Sequence, residues 1–156
     1  MQALRTIYRY WAAVVFLAVL AQISAAAYGG FYSAEKLESQ PGEEETRHVI
    51  NEDTFDTGFD FHTGFGYLIF LGSILLFLLA LGARLGRHRI WWNLALPVIL
   101  AVQIVLAWAG YDVPFVGALH GLNALIIFSL SGMLAWSAWR LRAAPEPGSA
   151  AAARAP

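Results

Sequence analysis

Phe61-His62-Thr63-Gly64-Phe65-Gly66-Tyr67-Leu68-Ile69-Phe70 and Leu119-His120-Gly121-Leu122-Asn123-Ala124-Leu125-Ile126-Ile127-Phe128 are two versions of one pattern. Each sets a histidine near the start of a long apolar run. Each follows it, four positions later, with a small residue, Gly66 or Ala124. One helical turn brings that residue onto the face of the imidazole. Ser73 and Ser131 extend the correspondence along roughly the same face. Apolar runs of about 20 residues that open on an ionisable side chain read as membrane-spanning helices with a functional group at one end.

The rest of the chain agrees. Of its 156 residues 58% are hydrophobic and 13% charged, about half the charge of a soluble domain. The charges are confined to short segments between apolar runs. The expectation is an all-α membrane protein: an up-down bundle of four transmembrane helices, with spans at about 11–28, 61–83, 90–109 and 116–139. The first run follows Arg5 and Arg9 and ends near Ala25-Ala26-Ala27, which also resembles a cleavable signal peptide. A retained helix is preferred because the run takes part in an internal repeat. Residues 33–60 hold nine of the eleven acidic side chains and read as a solvated acidic loop turning at Pro41-Gly42. Glu43-Glu44-Glu45 belongs to that solvated surface rather than to a cation site, and His48 is expected to be exposed. Pro97 falls inside the third span, where neighbouring helices tolerate it. Residues 111–115, with Pro114, form a tight turn, and the Ala/Pro/Gly-rich tail 143–156 is expected to be disordered.

Several chemistries are excluded. The chain has no cysteine, so it has no disulfide, thiolate metal site, iron–sulfur cluster or covalent c-type haem. No basic patch with interleaved aromatics suits nucleic acid. No Ser-His-Asp set, phosphate loop or HExxH motif is present.

Arg5 and Arg9, the connector Arg84 to Arg89, and Arg140 with Arg142 all fall at one end of the bundle. The positive-inside rule makes that end, and both termini, cytoplasmic in a bacterial-type plasma membrane. The acidic loop and Asp112 are then extracytoplasmic. Interfacial aromatics mark both ends, Trp91, Trp92, Trp136 and Trp139 on one side and Tyr28, Phe31, Trp108 and Tyr111 on the other.

The halves repeat. Ala21-Gln22-Ile23-Ser24-Ala25-Ala26-Ala27-Tyr28-Gly29 aligns with Val102-Gln103-Ile104-Val105-Leu106-Ala107-Trp108-Ala109-Gly110. Gln22, Ala26 and Gly29 match Gln103, Ala107 and Gly110, one stripe along one face. Two such helix pairs in parallel form a pseudo-twofold bundle about the membrane normal. The histidine helices are then diagonal, and His62 and His120 share one depth in the outer half, level with the Gln-Ala-Gly stripes. Diagonal imidazoles with small residues around them suit a flat macrocycle, and the reading of the pair is axial ligation of one b-type haem. The plainer reading is interfacial histidines, with small residues packing helices and glutamines bonding across them. Gln22 and Gln103 would otherwise contact a porphyrin edge or a quinone, and Ser73 and Ser131 pack. Two histidines without thiolate make a poor zinc or copper site, although Asp56 and Asp60 lie near His62 in sequence.

The segment from Val102-Gln103-Ile104-Val105-Leu106-Ala107 through His120 resembles one four-helix half of haem A synthase. Phe59-Asp60-Phe61-His62-Thr63-Gly64-Phe65-Gly66-Tyr67 is similar to the opening of the second helix in small bacterial four-helix membrane proteins of unknown function. The likeness covers most of residues 11–140 and implies that His62 and His120 are haem-ligand positions. Where the family's catalytic half has a glutamate one turn before its histidine and an arginine after it, this chain has Gly58 and Thr63. Haem binding, rather than haem hydroxylation, is the implied property.

The functional expectation is a cytochrome b-like protein that passes electrons or handles haem. Its partners would be membrane lipid, a quinone, a redox protein docking on the acidic loop, or a second copy of itself. Two other readings stay open: a cofactor-free membrane subunit or scaffold, and a quinone- or small-molecule-binding protein.

Overall fold

In the computed structural model, residues 1–38 and 44–141 are described, with side chains except at 37–38, 44–53 and 55. Four helices follow in order: α1 Gln2–Glu38, α2 Glu44–Gly82, α3 Arg87–Asp112 and α4 Pro114–Trp139. No strand occurs among the described residues. All four helices are long and apolar enough to cross a membrane. Large apolar side chains, Leu17, Leu68, Leu71, Val98, Val105, Leu122 and Leu125 among them, cover the outside. A helix that is apolar all round has lipid or protein on every side, so the chain is an integral membrane protein.

Each helix packs on its neighbours in sequence and α4 closes against α1, leaving α1 and α3 diagonal, and α2 and α4 diagonal. The expected up-down bundle of two repeated pairs is present. The repeat is visible in what each helix buries. Ile69, Ser73, Leu76 and Ala80 of α2 have counterparts at the same spacing in Ile127, Ser131, Leu134 and Ala138 of α4. Ala12, Val15 and Val19 of α1 correspond to Asn93, Leu96 and Leu100 of α3. The spacings of three and four draw one face per helix, and these faces make the core below the histidines. Ser73 and Ser131 are packing residues whose hydroxyls donate to Phe70 O (2.6 Å) and Phe128 O (3.0 Å).

The arginine-bearing end is closed by polar contacts. Tyr8 and Asn93, both buried, bond side chain to side chain (3.0 Å from Asn93 Nδ2), and Asn93 Nδ2 also reaches Arg89 O at 2.8 Å. Arg9 donates to Leu141 O (3.1 Å) and Arg89 to Ser137 O (3.3 Å), placing cations where the C-terminus of α4 leaves carbonyls unpaired. α2 stops in a Schellman motif: Leu85 N–H donates to Ala80 O (3.2 Å) and Arg84 N–H to Leu81 O (3.0 Å). Arg84 takes the left-handed position there, at φ 50°. At the other end a single extended residue, Val113, separates α3 from α4, and Pro114 starts α4 where no helical donor is missed.

The segment 33–60, expected as a loop, is largely helical: α1 runs to Glu38 and α2 starts at Glu44. At about 1.5 Å per residue the 37 residues of α1 and 39 of α2 exceed the 30 Å hydrocarbon core by roughly 25 Å. Polarity in this stretch marks where the helices leave lipid, not where they end. The Pro41-Gly42 turn, the side chains of His48 and Glu43-Glu44-Glu45, and the tail 143–156 lie outside the described residues.

Candidate functional site

A cavity of about 320 Å³ lies between the two hairpins, lined by residues of all four helices. His62 and His120 face each other across it, ring centroids 6.4 Å apart and planes at 60°. Their helices are diagonal and do not pack together, so this meeting of side chains happens across the bundle axis.

Each ring is held by the glutamine of the preceding helix through a reciprocal pair of bonds. His62 Nδ1 donates to the backbone carbonyl of Gln22 (3.2 Å), and the Gln22 side-chain amide donates to His62 O (2.7 Å). His120 Nδ1 donates to Gln103 O (3.1 Å), and Gln103 Nε2 donates to His120 O (3.1 Å). A carbonyl only accepts, so Nδ1 carries the proton in both rings. The neutral imidazole then keeps its lone pair on Nε2, the arrangement that orients a histidine as a metal ligand.

The structure brings most of the sequence-derived residues together. Gln22, Ala26, His62, Gly66, Gln103, Ala107, His120 and Ala124 all line the cavity. At Gly66 a Cβ would lie 2.9 Å from Gln22 Nε2, so the Gln22 amide lies closely over this glycine, whereas the matching clasp forms beside Ala124. Gly29 and Gly110 do not line the cavity. A Cβ on Gly29 would meet Gly58 O at 2.7 Å, and one on Gly110 would meet Gly117 Cα at 2.9 Å. These two glycines are helix-crossing points, where backbones approach because neither residue has a side chain. No three of His, Cys, Asp and Glu gather as a metal site among the described residues, so Asp56 and Asp60 do not complete one with His62.

Thr63, Tyr67, Trp108 and Tyr111 also line the cavity; the sequence reading placed Trp108 and Tyr111 at the outer interface and assigned none of the four to the site. Nor did it assign Asn123, whose Nδ2 donates to Gln103 Oε1 (2.7 Å) and Ile99 O (3.2 Å). Its signal was available: an amide three residues after His120, in an apolar run, needs a partner.

A family of unknown function, DUF6220, matches residues 54–110. This segment is less than half of the chain; it includes His62 and Gln103 but neither Gln22 nor His120. No curated protein and no solved structure matches the chain.

Proposed function

We propose that the protein binds one b-type haem between His62 and His120 and acts as a small cytochrome b-like membrane protein. One observation carries this reading: two imidazoles, each tied through Nδ1 to a carbonyl, face each other at 6.4 Å across a cavity shared by four helices. Two collinear metal–nitrogen bonds of about 2 Å each, plus the half-width of each ring, call for centroids roughly 6 Å apart. The donor set fits haem, whose iron needs two axial ligands beyond its four ring nitrogens. Ala26, Gly66, Ala107 and Ala124 leave room for a planar group close to the helices. Bound there, haem would supply a one-electron couple; the chain's part is to hold both imidazoles in one tautomer.

Two axial histidines leave no open position in the resting site, which favours electron transfer or haem handling over oxygen activation. The resemblance to half of haem A synthase supports the same ligand pair. The positive-inside rule puts the site toward the extracytoplasmic face, and the acidic ends of α1 and α2 would attract a basic redox partner. A quinone is the other electron partner suited to a lipid-embedded site.

The test is optical. Purified protein should show sharp b-type bands in a reduced-minus-oxidised spectrum. His62→Ala and His120→Ala should each abolish the low-spin signature. A colourless preparation after haem supplementation, or low-spin spectra retained by both variants, would overturn the proposal.

A further inference from the structure

The two clasps are alike except for one bond. Gln103 uses both ends of its carboxamide: Nε2 donates to His120 O, and Oε1 accepts from Asn123, which is itself tied to Ile99 O. Gln22 uses only one end. Its Nε2 donates to His62 O, while its Oε1 is buried with no partner. The reason lies three residues beyond each histidine, where α4 has Asn123 and α2 has Phe65. Phe65 offers no donor and stacks on Phe61, centroids 5.3 Å apart. The turn carrying His62 holds two glycines, Gly64 and Gly66, where the turn carrying His120 holds one, Gly121, with Ala124 at the position of Gly66.

A buried acceptor without a donor raises the free energy of the arrangement that strands it. Opening the Gln22–His62 clasp gives up its two bonds but frees the unpartnered Oε1 to find a donor. Opening the Gln103–His120 clasp gives up the same two bonds and also pulls Gln103 Oε1 away from Asn123, which is anchored to Ile99 O. Glycine further lowers the resistance of the α2 turn to such a movement.

We propose that the two histidines are inequivalent: His120 is the permanent anchor and His62 the exchangeable ligand. The α2 side of the site therefore admits a small neutral ligand such as carbon monoxide or imidazole. This inference rests on the haem-binding reading. The exchange breaks one iron–His62 bond and makes one iron–ligand bond, with no electron or proton transferred. His62 leaves its place as its clasp with Gln22 opens, while the Gln103–Asn123 bonds keep the matching clasp around His120 closed.

The decisive experiment adds carbon monoxide to the reduced full-length protein and follows the Soret band. Wild type should form an adduct slowly. His62→Ala should keep its haem and form the adduct fully and at once, and His120→Ala should lose haem. Phe65→Asn, which offers Gln22 Oε1 the missing donor, should slow adduct formation about tenfold. Equal haem retention and equal adduct formation in the two histidine variants would overturn the inequivalence. A second measurement covers a Phe65→Asn protein that does not fold, and needs no haem. In ¹⁵N-histidine-labelled wild type in detergent, the Nδ1–H proton of His62 should exchange with solvent about tenfold faster than that of His120. Equal rates defeat the inequivalence. Unequal rates in a protein that never takes up haem uphold the asymmetry of the clasps and defeat the haem reading alone.

Discussion

Asn123 and Phe65 occupy matching positions, and the difference between them decides how firmly each histidine is held. Asn123 is the donor for Gln103 Oε1 and reaches Ile99 O as well. Replacing it with leucine keeps the volume and removes both bonds. Asn123→Leu should therefore destabilise the bundle by about 1–3 kcal/mol, the cost of a buried acceptor left unpaired. Thermal unfolding in detergent reads this directly, and an unchanged midpoint would show that Gln103 finds another partner. At this scale the two histidines, the two glutamines and the small residues beside them were legible in the sequence, because a repeated spacing marks a shared face. The bonds were not. Nothing in the order of residues says that the Gln22 backbone carbonyl, rather than its side chain, meets the imidazole.

The ends and crossings of the helices carry their own predictions. Arg84 holds a left-handed conformation at φ 50° that glycine adopts without cost, and its side chain is exposed. Arg84→Gly should stabilise the protein by about 1 kcal/mol, seen as a raised unfolding midpoint. Gly110 is the opposite case, since any side chain there would enter the backbone of Gly117. Gly110→Val should force α3 and α4 apart and destabilise by about 1–3 kcal/mol, with the same assay as the check. The spans of α3 and α4 were read within a few residues of their observed ends, because Pro114 and the arginines bracket them. The last turns of α1 and the first part of α2, residues 33–38 and 44–60, were read as a loop. Charge along a chain reports contact with water, and a helix outside the membrane is in contact with water too.

For the whole molecule, the arginines of α1, of the 83–86 connection and its flanks, and of the end of α4 all lie at one end. The positive-inside rule then predicts that Gly86 faces the cytoplasm and Ala34 the opposite side. Both residues are exposed. The absence of native cysteine makes single substitutions clean reporters. Ala34→Cys should react with a membrane-impermeant maleimide on intact cells, and Gly86→Cys only after permeabilisation. The reverse pattern would invert the proposed topology and move the histidine layer to the inner leaflet.

Hydrophobic run length, charge segregation and the repeated Gln and His spacings determined, from the sequence alone, four membrane helices in two matching pairs and one shared layer for the histidines. These are local and periodic properties, and a helix converts them to faces and depths by fixed geometry. Only the tertiary structure decided that Gly29 and Gly110 serve crossings while Ala26 and Ala107 serve the cavity. It also decided that each imidazole is held through Nδ1, and that one clasp lacks a bond. Those outcomes depend on which atoms of different helices come within hydrogen-bonding distance, which chain order does not encode.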